Sequence, residues 1–172
     1  MVNAGELANH PNLIPHTPTA NVFNVNDLNA LSSTVTEIIV ENRCCRDPSF
    51  TVLDFTRFTS VRRIVIGDEA FMYVNEVKLI GMNELESVEI GKNGLTQHKN
   101  GCGNDPNRHF YLKNCPKMKS LKMGRYSFSD YTVIEIENAD ALEVIEIGNV
   151  NEWSYNFWYA SLELKSILIH RE

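Results

Sequence analysis

The sequence predicts a mainly β solenoid with short parallel strands on two sides, and three observations predict it. Four stretches share one pattern, an apolar residue followed three positions later by apolar-x-apolar-Gly. They are Val61-Arg-Arg-Ile64-Val-Ile66-Gly67, Leu85-Glu-Ser-Val88-Glu-Ile90-Gly91, Met118-Lys-Ser-Leu121-Lys-Met123-Gly124 and Leu142-Glu-Val-Ile145-Glu-Ile147-Gly148. Their glycines, at 67, 91, 124 and 148, lie 24, 33 and 24 residues apart, and a polar insertion between Thr96 and Arg108 accounts for the 33. A second series alternates in the same way midway between them: Val77-Lys-Leu79, Phe110-Tyr-Leu112, Ile134-Glu-Ile136 and Leu162-Glu-Leu164. A fixed period of this length marks a repeat architecture whose surface is normally used for binding.

Each element follows from local chemistry. Residues 1–23 carry Pro11, Pro15 and Pro18 among polar residues and are expected to form an extended arm. Asn24 to Leu31 suits a short helix capping the N-terminal end of the solenoid, which spans 24–172 as a single domain with 96–108 as an insertion loop. Val35, Ile38 and Val40 suit an irregular first strand, with Val52, Leu53 and Phe55 pairing on the opposite side. Thereafter Leu79 follows Ile66 by 13 residues and precedes Ile90 by 11, so each repeat of about 24 residues has room for two short strands and none for a helix plus a turn. The glycine after each first-series strand fits a bend that needs unrestricted φ. Phe71, Leu95 and Phe128, each four residues beyond, are expected to plug the end of a repeat. In the last repeat Val150 to Asn156 delays that position to Phe157. Gly81, Asn114 and Asn138 supply turns after the second-series strands.

Outward positions also align. Glu89, Lys122 and Glu146 form one expected row; Ile80, Lys113, Glu137 and Lys165 form another; Lys78, Tyr111, Glu135 and Glu163 form a third. Such rows set register and solubility, or present a recognition face.

Composition narrows the function. The 172 residues are 43% hydrophobic and 22% charged, enough for one soluble domain with a substantial core. A net charge of −6 and a pI near 5.4 argue against nucleic acid as a partner. No long apolar run suggests membrane insertion, and the N-terminus lacks the basic-then-apolar profile of a secretory signal, which points to the cytoplasm. Cys44, Cys45, Cys102 and Cys115 lack metal spacing; a disulfide from Cys102 to Cys44 or Cys45, or free buried thiols, are the alternatives.

Catalytic chemistry finds little support. His10, His16, His98, His109 and His170 are dispersed. His98 and His109 flank the insertion and can converge with Cys102 and Asp105 as metal ligands, although the glycine-rich segment reads more simply as turns. No nucleophile elbow, phosphate loop or dinucleotide fingerprint occurs. Glu135 and Glu137 share one exposed face without a cleft, which is poor ground for a catalytic dyad. The expectation is a protein that is not an enzyme and carries no cofactor or metal.

Ile66-Gly67-Asp68-Glu69-Ala70-Phe71, Gly124-Arg-Tyr-Ser-Phe128 and Asn114-Cys115-Pro116-Lys117-Met118 resemble the BspA-like leucine-rich repeats of bacteria and anaerobic protists. Those repeats carry an I-G-x-x-A-F segment and a Cys three residues before the apolar residue that opens the next strand. The resemblance covers roughly 61–167. Here Gly stands where the family usually has Pro, and the Cys occurs once, at Cys115. It implies a leucine-rich-repeat-like solenoid and an adhesion or protein-binding module, often at a cell surface or secreted.

Two functions follow as expectations. One is a non-catalytic interaction or adhesion module that meets a protein partner. The other is a structural subunit that self-associates head to tail, into oligomers or filaments, through its open C-terminal repeat and N-terminal arm. Candidate partner-binding residues are the aromatic cluster Trp153, Tyr155 and Trp158, the outward Tyr111, and the C-terminal Leu164, Ile167 and Ile169. Alternatively Phe157 and Tyr159 plug the last repeat and Trp153 covers them.

Overall fold

The computed structural model describes residues 18–97, 105–149, 151–158 and 160–166. The expected arm up to residue 17 and the insertion from 98 to 104 lie outside the described residues. Alternation of apolar and polar residues over three to five positions produces every strand, because successive side chains point to opposite faces. In chain order these are β1 (Thr19–Val22), β2 (Glu37–Val40), β3 (Val52–Asp54), β4 (Arg63–Ile66), β5 (Glu76–Ile80), β6 (Ser87–Ile90), β7 (His109–Lys113), β8 (Ser120–Met123), β9 (Val133–Glu137), β10 (Val144–Ile147) and β11 (Ser161–Lys165). One helix, α1 (Val25–Ala30), completes the described elements.

The strands form two open sheets, parallel throughout and not closed into a barrel. One runs β1-β2-β4-β6-β8-β10 and the other β3-β5-β7-β9-β11. In the first, Val40, Ile66, Ile90, Met123 and Ile147 are successive partners. In the second, Leu79, Leu112, Ile136 and Leu164 are successive partners. The core lies between the inward rows, where Ile64, Val77, Leu79, Val88, Phe110, Leu112 and Leu121 are buried.

The N-terminal side departs from expectation in two ways. Residues 19–22, assigned from sequence to the arm, pair with β2 as β1, from Thr19 with Glu37 to Val22 with Val40. The edge of β2 offers unpaired backbone groups, and a short segment ending in a buried valine satisfies them. The expected helix forms, with Asn24 Oδ1 accepting from the Asp27 amide at 3.0 Å. Its expected role as the cap is not supported, because β1 occupies the edge of the sheet.

The glycine row answers to a different constraint from the one expected. Gly67, Gly91 and Gly124 do not have positive φ; Gly81 and Gly148 do. A Cβ on Gly67 would sit 2.6 Å from the Asn42 amide nitrogen, one on Gly91 2.7 Å from that of Asp68, and one on Gly124 2.6 Å from that of Lys92. Consecutive turns therefore approach too closely for any side chain. The left-handed residues come two and four positions later: Glu69 and Phe71, Asn93 and Leu95, Tyr126 and Phe128, with φ between 55° and 62°. Three of them donate to the next turn, Glu69 to the Lys92 carbonyl at 2.9 Å, Asn93 to that of Arg125 at 2.9 Å and Tyr126 to that of Ser154 at 2.6 Å. Phe71, Leu95 and Phe128 are the buried plugs the spacing predicts. A large side chain in this conformation costs about 1–2 kcal/mol, which burial of its ring or isobutyl group offsets.

Outward rows also form in the predicted register. Lys122 meets Glu146 at 3.3 Å, and Lys113 bridges Glu135 and Glu137. Nearer the first edge Arg63 joins Glu37 to Glu89, while Thr19 Oγ1 donates to Glu37 at 2.8 Å. The Arg63 hydrogen bond, helped by that of Thr19, holds the Glu37 carboxyl below its ordinary value.

The close approach has a direct test in chemical denaturation. Gly124→Ala forces neighbouring backbone apart and is expected to cost about 1–3 kcal/mol. Gly81→Asn, where φ is +69° and nothing lies within 4 Å of the new Cβ, is expected to cost less than about 1 kcal/mol.

Candidate interaction surface

The segment after β10 re-creates the earlier turns in spite of its extra residues. Tyr155 and Phe157 take left-handed φ of 46° and 51°, like Tyr126 and Phe128 before them. Phe157 stacks on Phe128 with ring centroids 5.1 Å apart. Asn156 Nδ2 donates to the carbonyls of Gly124 at 2.7 Å and Ser127 at 3.1 Å, locking the turn onto its predecessor.

This anchorage leaves an outward aromatic ladder. Tyr155 stacks on Tyr126 at 5.7 Å, Trp153 stacks on Tyr155 at 5.8 Å, and Trp158 tilts against Tyr155 at 4.8 Å. Arg125 supports its base, donating to the Tyr126 hydroxyl at 2.9 Å and pairing with Glu152. Trp153 is 73% exposed and Trp158 54%. Phe157 takes the plug position against Phe128, while Tyr159 lies outside the described residues. Large aromatic rings held rigid yet wet are the side chains that carry binding energy at interfaces.

The second feature is an incomplete core layer. β10 and β11 end their sheets among the described residues, and their inward side chains lack the cover seen in earlier repeats. Leu164 is 60% exposed and Leu162 51%, and Ile145 and Ile147 are also exposed. A cavity of about 210 Å³ opens between the two strands, lined by Met123, Ile134, Ile136, Ile147, Phe157 and Leu162. Ile167 and Ile169, which the sequence places on the same surface, lie outside the described residues. Tyr111 does not join them. It sits on the outer face of β7, two strands from β11, with its hydroxyl 2.6 Å from His109 Nδ1 and the Lys113 ammonium 5.2 Å from its ring centre.

The metal-ligand expectation fares differently by residue. His98 and Cys102 lie outside the described residues. His109 Nε2 donates to the Pro106 carbonyl at 2.8 Å, and its Nδ1 lies 2.6 Å from the Tyr111 hydroxyl. Asp105 turns inward on its own loop, accepting from the Asn107 amide at 2.9 Å and facing Arg108 Nε at 3.6 Å. No His, Cys, Asp and Glu cluster with ligand geometry occurs among the described residues. Cys44, Cys45 and Cys115 are free, buried thiols, and burial pushes all three above the ordinary thiol value, which makes them poor nucleophiles at neutral pH. No described helix is long and apolar enough to cross a membrane.

Sequence reasoning missed the group that anchors the insertion. Arg108 is 1% exposed and Asp130 fully buried, their charged groups 3.4 Å apart. The guanidinium also donates to the Val74 carbonyl at 3.2 Å and Gln97 Oε1 at 2.8 Å, while the Gln97 amide donates to Asp130 at 3.0 Å. Tyr131 lies against the guanidinium and donates to Val74 at 2.7 Å. Gln97 and Arg108 are the two feet of the insertion, so this cluster closes the base of the loop. The only sequence signal is positional, since Asp130 falls between the buried Phe128 and Tyr131.

No protein-family model, curated protein or solved structure matches the chain.

Replacing Arg108 leaves a buried carboxylate without its counter-charge. Arg108→Met is expected to cost about 3–5 kcal/mol in equilibrium unfolding. Adding Asp130→Asn should recover part of that loss, because the amide oxygen still accepts from Gln97.

Proposed function

We propose that the chain is a non-catalytic protein-interaction or adhesion module, a leucine-rich-repeat-like solenoid that binds a protein partner through the C-terminal side of its stacked repeats. The observation that carries the reading is the ladder Tyr126–Tyr155–Trp153/Trp158, rigid at its base and exposed at its tip. The in-register repeats and the resemblance of the segment around 61–167 to BspA-like repeats support the solenoid description. Burial of the described thiols and the inward engagement of His109 and Asp105 support a binding rather than a bond-making surface.

Self-association is the second reading, favoured by the uncovered apolar side chains of β10 and β11. A further protein chain removes that surface from water at about 25 cal/mol per Å² of apolar area.

Panning a displayed random-peptide library against the immobilised chain tests the primary reading. Peptides enriched on the wild type should bind the Trp153→Ala, Trp158→Ala double variant at least about 30-fold more weakly, with an unchanged thermal melt. Equal binding to both proteins, or no enrichment on the wild type, overturns it.

A further inference from the structure

We propose that the open layer formed by β10 and β11 docks on the same layer of a second copy, with β11 pairing antiparallel to β11 across a two-fold axis near Leu164. The inference rests on the self-association reading and names its partner and register. β11 ends its sheet among the described residues, and so presents backbone donors and acceptors on the side away from β9. Its side chains alternate, with Leu162 and Leu164 in the inward rows and Glu163 and Lys165 on the outward face. Glu163 and Lys165 flank Leu164, and they already meet within the chain at 2.6 Å.

That arrangement is complementary to itself. Antiparallel pairing centred on Leu164 places Glu163 of one chain opposite Lys165 of the other, twice per dimer. Residues directly opposite in an antiparallel pair project from the same face. Leu164 then meets Leu164 on the inner face, and the open cavities of about 210 Å³ in the two copies face one another. Parallel pairing lacks this symmetry.

The other end of the molecule argues against a head-to-tail contact. There Val22, Leu28 and Val35 are buried, and the Arg57 guanidinium donates to the carbonyls of Leu28 at 2.6 Å and Asn29 at 3.2 Å. Among the described residues of that end the exposed large apolar side chains are Phe23 and Val52, and Val52 lies on the outer face of β3, so no uncovered inward layer is there to pair with. Only like end on like end matches, and a two-fold contact closes at the dimer instead of growing into a filament.

Charge reversal tests the register. In sedimentation velocity across the micromolar range the wild-type chain should show monomer and dimer and nothing larger. Glu163→Lys places lysine opposite lysine, and Lys165→Glu places glutamate opposite glutamate. Each single variant should dimerise at least about tenfold more weakly, with an unchanged far-ultraviolet circular dichroism melt because both side chains are exposed. An equimolar mixture of the two single variants should recover dimer as the heterodimer, which loss of the pair within each chain cannot explain. The Glu163→Lys, Lys165→Glu double variant should recover the homodimer. Species growing beyond the dimer overturn the two-fold contact. Single variants that associate as tightly as wild type, or a mixture that stays monomeric, overturn the register. A wild-type chain that is monomeric throughout overturns the dimer while leaving tryptophan-dependent peptide binding standing, so the two proposals fail separately.

Discussion

Close backbone approach at the glycine row is the constraint on which the rest of the molecule depends. Gly67, Gly91 and Gly124 each lie where an added Cβ would stand 2.6–2.7 Å from the preceding turn. That contact holds successive turns at one spacing, and the spacing makes the sheet register continuous from β2 to β10. The left-handed residues at the second and fourth positions beyond follow from the same geometry. The amides at the second position reach the next turn, those at the fourth reach back to the preceding one, and the fourth-position side chains fall into the core. Where register is continuous, apolar rows face inward and charged rows face outward without further specification.

Irregularities are tolerated where other groups restore that spacing. The first insertion is closed by a buried ion pair, Arg108 with Asp130, whose remaining donors are taken by Val74 and Gln97. A charge this deep costs several kcal/mol to desolvate, so its contribution is positional: it brings Gln97 and Arg108 together below a polar loop. The second irregularity, after β10, is closed by Asn156 on the carbonyls of the turn below. The extra residues there project Trp153 outward, so the feature proposed for binding arises where the repeat is interrupted.

The two ends differ in how they meet water. At the N-terminal side β1 pairs along the edge of β2 and its Val22 is buried. At the other, the side chains of β10 and β11 keep the inward alternation of a core layer and remain exposed. A row built for burial but left wet is the most favourable place for association. The proposed closed pair, as opposed to an open chain of molecules, rests on this difference.

Much of this was readable in the primary structure. The 24-residue period placed Ile66, Ile90, Met123 and Ile147 in one row, located both strand series, and identified Phe71, Leu95 and Phe128 as plugs. These features depend on side-chain alternation and spacing, which linear order preserves. The reason for the glycines was not readable, because a clash with the neighbouring turn involves residues more than 20 positions away, from Asp68 against Gly91 to Lys92 against Gly124. Nor was the Arg108–Asp130 pair, which joins the far foot of the insertion to a position 22 residues further on. The pairing of residues 19–22 with β2 was likewise hidden, since backbone hydrogen bonds ask little of side-chain identity. Periodicity reports which residues face inward; only packing in three dimensions reveals what each one meets there, because the neighbours are supplied by other turns of the chain.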